Sequence, residues 1–304
     1  MEFLYALESI RNPVCDAIMS VVTQLGGEMV YMAVAIVAFW CVSKGLGYYI
    51  LTVGFAGTVL TQFLKITCRI PRPWVQDPDF TIVESAREAA TGYSFPSGHT
   101  QNAFASFGCL GMWSRRTLWR AVCAAVILLI AFSRMYLGVH TPLDVGVSLV
   151  SGLALTLALW PLFRDIESHP GRMYAAIGAM LALTLAYLLY VELYPFPADT
   201  DAENLASALE NGYKLLGAGA AMLLSYALDR KYIHFETKAP LMGQVLKCVI
   251  GLALVMGVRA VLKAPLYALF GNPNIADAAR YFIMVFVAAA VWPMTFRFFA
   301  RVGK

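Results

Sequence analysis

Long apolar stretches alternate with short polar ones along the whole chain. Nine apolar runs lie at about 28–43, 46–69, 99–113, 119–140, 143–163, 172–193, 211–228, 243–263 and 277–299. They reach or approach the ~17 to 25 residues that a helix needs to cross a bilayer. The pattern predicts an all-α polytopic membrane bundle of about nine transmembrane helices. The runs at 28–43 and 99–113 are short, so their ends are expected in protein or at a cavity rather than in lipid. Residues 1–27 are too broken to span. Val14 to Leu25 is amphipathic, interrupted by Asp16 and Gln24 and stopped by Gly26-Gly27, and reads as an interfacial helix. Three segments follow: 1–27 as an interfacial N-terminal piece, 28–193 as a helical core, and 194–304 as a three-helix membrane extension.

Composition agrees, since 60% hydrophobic and 14% charged residues do not make a soluble surface. The net charge of +4 says little by itself, and nucleic acid is not expected as a partner. Its distribution says more. Threading nine spans collects Lys44, Arg115, Arg116, Arg120, Arg164, Arg172, Arg230, Lys231, Lys238, Arg297, Arg301 and Lys304 at one face, which the positive-inside rule makes cytoplasmic. The N-terminus is then outside and the C-terminus cytoplasmic. Segment 70–98, the corner at His140 and an acidic loop at 199–210 lie outside, and the plasma membrane is the expected location. Trp40, Trp113, Trp119, Trp160 and Trp292 fall near cytoplasmic span ends, as an aromatic belt should. The six cysteines show no pair spacing, so neither a disulfide nor a zinc site is expected. No removable signal peptide is expected at the N-terminus either.

The chemistry gathers at the outer face. In Tyr93-Ser-Phe-Pro96-Ser97-Gly98-His99, Pro96 stops a helix from running backwards, Ser97 suits an N-cap, and Gly98 admits close approach to the backbone. Free amides at the positive end of a helix make an anion seat, which His99 would face. An ordinary capped helix also accounts for these four residues alone. Lys65 and Arg69 are one turn apart at the outer end of the second run, and Pro71 and Pro73 hold Arg72 in extended backbone. Snorkelling is the bland reading of such cations, but the outer face disfavours positive charge. Arg134, His140 and Asp144 surround the next outer corner, where Gly138 can close one helix and Thr141-Pro142 open another. Asp144 suits a capping box, and four residues from His140 it can also accept from one ring nitrogen.

Three segments distant in sequence thus converge on one face. The strings Lys65 to Pro73, Pro96 to His99 and Ser133 to Asp144 resemble the three signature motifs of the type 2 phosphatidic acid phosphatase superfamily, over about residues 28–163. The resemblance implies a metal-independent phosphomonoesterase or diphosphatase with no cofactor, working through a phosphohistidine. By motif position His140 is the nucleophile, Asp144 orients it, and His99 is general acid and then base. Lys65, Arg72, Ser97, Gly98 and Arg134 bind the phosphoryl oxygens. The expected partners are a lipid phosphate substrate and membrane lipids, with the oligomeric state open. A small soluble ester, as in the glucose-6-phosphatase branch, is the alternative substrate, and a lipid transporter or scaffold is the non-enzymatic one. Vanadium haloperoxidases share the pocket but are soluble. Beyond residue 172 no second constellation stands out. Arg259 and Lys263 are expected to pair with the acidic loop or to widen the substrate pocket, and His169 and His234 read as ordinary loop residues.

Overall fold

The computed structural model describes residues 1–302 and is helical, with no strand among them. The chain order is α1 (Glu2–Ser9), α2 (Pro13–Gln24), α3 (Glu28–Val37, prolonged by a π-helical turn Ala38–Val42) and α4 (Lys44–Cys68). Segment 70–98 holds only the short turns Pro73–Gln76 and Glu84–Ala86. Next comes α5, which starts as Gly98–Ala103, passes through a π-helical turn Phe104–Gly108 and ends as Cys109–Trp113. The remainder is α6 (Thr117–Tyr136), α7 (Pro142–Phe163), α8 (Pro170–Leu193), α9 (Ala202–Leu228), α10 (Leu241–Val261), α11 (Lys263–Phe270) and α12 (Pro273–Phe286, continuing to Phe299).

All nine apolar runs are helical. Six helical stretches among the described residues are long and apolar enough to cross a membrane, and a seventh if α2 and α3, bent by 45° at Leu25-Gly26-Gly27, make one broken span. The other two runs differ for physical reasons. α5 is short, and α9 carries Glu210, Asn211 and Lys214 along its length. The N-terminal stretch forms two helices where the sequence suggested one. Asn12 caps the second, its side chain accepting from the Cys15 amide at 3.0 Å with Pro13 in the first turn.

The chain divides into two compact units. The first comprises Met1–Val34, Tyr49–Arg164 and Phe196–Ser207. Its helices pack through Ala103, Phe104, Ile127 and Ile130, with Val22 and Leu149 against them. A second cluster of Ala86, Ala90, Tyr136, Leu137 and Val139, joined by Trp74 and Phe132, ties segment 70–98 to the corner after α6. That helix ends at Tyr136, four residues earlier than its apolar run suggested, because Gly138 takes a left-handed φ of 81° and turns the chain. Arg69 also departs from expectation. Its own φ of 50° ends α4, and its guanidinium leaves the Lys65 face to donate to Thr200 Oγ1 at 3.0 Å, with Asp199 at 3.8 Å.

The second unit comprises Ala35–Tyr48, Asp165–Pro195 and the chain from Ala208. Lys247 is fully buried there, donating to the carbonyls of Trp40 at 2.8 Å and Thr237 at 2.9 Å, with its ammonium over the Phe296 ring. Lys44 pairs with Asp229 at 2.6 Å, Glu210 with Lys214 at 2.5 Å and Asp277 with Arg280 at 2.5 Å. Asp199 and Glu210, two acids of the outer loop, are engaged by Arg69 and Lys214. The six cysteines are free, though Cys41 and Cys248, unremarkable by spacing, bring their sulfurs to 3.1 Å.

Candidate active site

All eight residues singled out from the sequence lie in the first unit. Lys65 is in the last turn of α4, and Arg72 is in the extended backbone just before Pro73. Ser97 caps α5, its Oγ accepting from the Thr100 amide at 3.4 Å and the Thr100 hydroxyl at 3.0 Å. Gly98 opens that helix, and a Cβ placed on it would meet no atom within 4 Å, so the backbone there faces open space. His99 follows in the same turn. Arg134 closes α6, His140 sits in the corner, and Asp144 is the third residue of α7.

Asp144 fills the capping role that the sequence allowed and also lies beside His140. Its Oδ2 accepts from the Thr141 amide at 2.7 Å, and the Thr141 hydroxyl accepts from the Asp144 amide, which completes a capping box. The same oxygen lies 3.5 Å from His140 Nδ1. The other ring nitrogen, Nε2, is 2.9 Å from Arg72 Nη1. A guanidinium only donates, so Nε2 is the acceptor and the proton sits on Nδ1, toward the carboxylate. This tautomer leaves an in-plane lone pair on Nε2, which is what a nucleophilic imidazole requires. His140 is buried, and burial, reinforced by Arg72, Arg134, Lys65 and His99, pushes its pKa well below the ordinary value, so the ring is neutral.

The cations are held by neutral partners. Arg72 donates to the carbonyls of Thr91 at 2.7 Å, Gly92 at 3.0 Å and Val139 at 2.9 Å. Lys65 donates to the carbonyls of Thr91 and Tyr93. Arg134, 0% exposed, donates through Nη1 to Thr23 Oγ1 at 2.7 Å, while its Nε and Nη2 are buried with no partner. Lys65, Arg72, Arg134 and Asp144 are the buried charged residues of this unit among those described. Three basic side chains therefore face one carboxylate, an excess of positive charge buried from solvent. Buried charge is costly unless paired, and two guanidinium donors of Arg134 stand ready for an acceptor. An oxyanion of about two negative charges, such as a phosphate ester, meets both demands.

Two residues passed over in the sequence also touch this cluster. Ser94, wholly buried, donates from Oγ to Asp144 Oδ2 at 2.6 Å, and the same hydroxyl is 3.5 Å from His140 Nδ1. Its place five residues before His99 was the available signal. Thr23, which accepts from Arg134, lies on α2, and nothing in the local sequence marks it. No group of three or more His, Cys, Asp or Glu among the described residues is arranged to hold a metal.

Buried basic side chains, a neutral histidine beside a carboxylate, and a second histidine in the first turn of a capped helix thus gather in one cluster of a membrane bundle, an arrangement suited to an oxyanion. Comparison with known proteins agrees. Residues 45–167 match the PAP2 superfamily, and residues 213–303 match the PAP2 superfamily phosphatase transmembrane extension. The chain is 31% identical over 176 residues to the undecaprenyl-diphosphatase BcrC of Bacillus subtilis, covering 56% of this chain and 87% of that protein. It is 27% identical over 213 residues to a dihydrosphingosine 1-phosphate phosphatase of Schizosaccharomyces pombe, covering 64% of this chain and 49% of the relative. With sphingosine-1-phosphate phosphatase 1 of Rattus norvegicus the identity is 25% over 272 residues, covering 83% and 61%. The chain thus spans about half the length of the fission-yeast relative. No solved structure matches significantly. The chain belongs to the PAP2 superfamily, as its motifs led one to expect, and is a multi-pass membrane protein.

Proposed function

We propose that this protein is an integral-membrane phosphatase that hydrolyses a lipid phosphate monoester or diphosphate at the extracytoplasmic face of the plasma membrane, through a phosphohistidine on His140. The observation that carries the reading is the uncompensated charge of Lys65, Arg72 and Arg134 around a neutral histidine whose tautomer is set toward Asp144. Arriving phosphoryl oxygens accept from Arg134 Nε and Nη2, Lys65, and the Ser97 and Gly98 end of α5. They also draw Arg72 Nη1 off the His140 lone pair, so substrate binding itself frees the nucleophile. Burial and the charges of Arg134, Arg72 and Lys65 hold the His99 pKa down in the free site. The bound phosphoryl dianion offsets those charges, so that His99 takes up a proton. Nε2 then bonds to phosphorus as the bond from phosphorus to the ester oxygen breaks, and His99 gives that proton to the leaving oxygen. In the second half His99 takes a proton from water, the water oxygen bonds to phosphorus, and the nitrogen–phosphorus bond breaks. Three cations and helix-end amides stabilise the equatorial charge in both halves.

Several considerations favour a lipid over a soluble ester. The motif cluster lies at the ends of membrane helices, where an acyl or prenyl tail stays between helices at ~0.8 kcal/mol per buried methylene. The relatives are named for sphingoid phosphates and undecaprenyl diphosphate. The test is phosphate release by the purified protein from a panel of sphingoid phosphates, phosphatidic acid, prenyl diphosphates and glucose 6-phosphate, with His140→Ala as control. Turnover of the lipids that disappears in the control is expected. A preference for glucose 6-phosphate ends the lipid reading, and full activity of His140→Ala ends the phosphohistidine.

A further inference from the structure

The first 44 residues lie outside the matched family segment, yet they reach the phosphate cluster. Thr23, in the last turn of α2, is 2% exposed, and its hydroxyl accepts from Arg134 Nη1 at 2.7 Å. This is the hydrogen bond by which the Arg134 guanidinium is held, for its Nε and Nη2 have no protein partner. A planar guanidinium fixed at one amino group has its remaining donors aimed in one direction. The chain keeps Thr23 in place in three ways. Asp16, on the same helix, accepts from the Tyr136 hydroxyl at 2.8 Å, two residues beyond Arg134. Arg11, just before α2, donates through Nε to the Tyr136 carbonyl at 2.9 Å. At the break after α2, Gly26 packs on the His99 backbone and side chain and on Ile130, so closely that a Cβ there would collide with both. The N-terminal helix therefore touches the elements carrying both Arg134 and His99.

We infer that Thr23 is a positioning residue for phosphate recognition, orienting Arg134 so that Nε and Nη2 present a two-pronged donor to the phosphoryl oxygens. The role rests on the phosphatase reading for its consequence in turnover, though not for its consequence in anion binding. The hydroxyl is the atom that matters. Without it the guanidinium is free to rotate in the cavity, and a well-aimed pair of charge-assisted bonds becomes one poorly aimed bond.

Two variants separate the hydroxyl from the bulk of the side chain. Thr23→Val keeps the shape and removes the acceptor, whereas Thr23→Ser keeps the acceptor and removes a methyl group. Vanadate, which takes up the trigonal-bipyramidal form of a transferring phosphoryl group, is titrated calorimetrically into wild type and both variants in detergent. Steady-state kinetics are measured on the same samples. A hydrogen bond to a charged group is worth roughly 10- to 100-fold, so Thr23→Val is expected to lose about that factor in vanadate affinity and in kcat/KM, with Thr23→Ser within about threefold of wild type. Thr23→Val equal to wild type in vanadate affinity overturns the inference, as does Thr23→Ser impaired as much as Thr23→Val, which would point to packing. Should Thr23→Val not accumulate as folded protein, Thr23→Ala removes the same hydroxyl without added strain and carries the same expectations. Because vanadate binding needs no turnover, it decides the role of Thr23 even if the wild type hydrolyses none of the lipids offered. That second result would count against the phosphatase reading alone.

Discussion

Replacing Arg134 with methionine sets stability against binding. The site buries three cations with one carboxylate, and Arg134 is the one held by a single neutral hydrogen bond. In a protein whose only task was to stay folded, that guanidinium would be a liability. Replacing a whole buried ion pair by apolar side chains is often neutral or stabilising by about 1 to 4 kcal/mol, and Arg134, which has no paired acid to leave behind, is expected to follow that case. Thr23 loses its donor at the same time, a cost of about 1 kcal/mol that its hydroxyl partly recovers from local backbone. At roughly 2 °C per kcal/mol for a chain of this size, the ligand-free Tm of Arg134→Met is expected to hold or rise by about 0 to 6 °C. Ligand should reverse the order. Vanadate at about a hundred times its Kd stabilises wild type by about 2.7 kcal/mol, hence by about 5 °C, and the shift should be lost in the variant. Turnover should fall by about 10² to 10³, the usual effect of removing a donor aimed at transition-state charge. The assay is a thermal-shift series in detergent with and without vanadate, alongside kinetics. A fall in the ligand-free Tm of more than about 3 °C, with the vanadate shift intact, would refute the reasoning, since Arg134 would then be a structural cation satisfied by the fold.

Ser94→Ala removes a 2.6 Å bond to Asp144 Oδ2 and is expected to lower kcat about tenfold while KM stays within about threefold; unchanged kcat would mean that the Thr141 amide suffices to hold the carboxylate. Because the His140 pKa is pushed well below its ordinary value, the ring stays neutral as pH falls through about 6.5, and the acid limb of kcat/KM should lie lower still. The sign for stability is the opposite of a stabilising pair: below about pH 6.5 the unfolded chain binds a proton that folded His140 refuses, so stability falls with falling pH there and is unaffected by this group above it. An acid limb centred above pH 6.5 would show that another group controls it. For topology, a cysteine at exposed Ser85 should be labelled by an impermeant maleimide in intact cells; labelling only after permeabilisation would turn the site to the cytoplasm.

How much of this was legible in the sequence follows the range of the interactions involved. Apolar runs report helices directly, because a membrane helix satisfies its backbone within itself. All nine runs are helical for that reason. Their ends were less legible, since an end is set by single backbone torsions. Arg69 and Gly138 adopt left-handed conformations that stop α4 and α6, and the apolar residues after Tyr136 continue the hydrophobic pattern without continuing the helix. Arg69 is instructive in this respect. Helical spacing from Lys65 suggested a shared face, but the left-handed turn sends its side chain toward Asp199 and Thr200.

The site divides along the same line. Lys65, Arg72, Ser97, Gly98, Arg134, His140 and Asp144 sit at fixed offsets within short segments, where proline, a cap or one helical turn dictates direction, so spacing carries their geometry. Ser94 and Thr23 contact the cluster across 50 and 111 residues of sequence, and a lone serine or threonine has many other uses in a membrane helix. The sequence can also name cations without revealing how few buried acids answer them. Asp16, Asp77, Glu84 and Glu88 were all available near the outer face. In the fold Asp16 binds Tyr136, Asp77 binds Tyr5, Glu84 pairs with Arg87 and Glu88 is exposed, so among the described residues Asp144 alone is an acid buried beside the three basic side chains. The chemistry depends on that allocation as much as on the motif residues. Had one of those acids turned inward, Arg134 would carry a permanent partner, and a phosphoryl group would have to displace a carboxylate to bind.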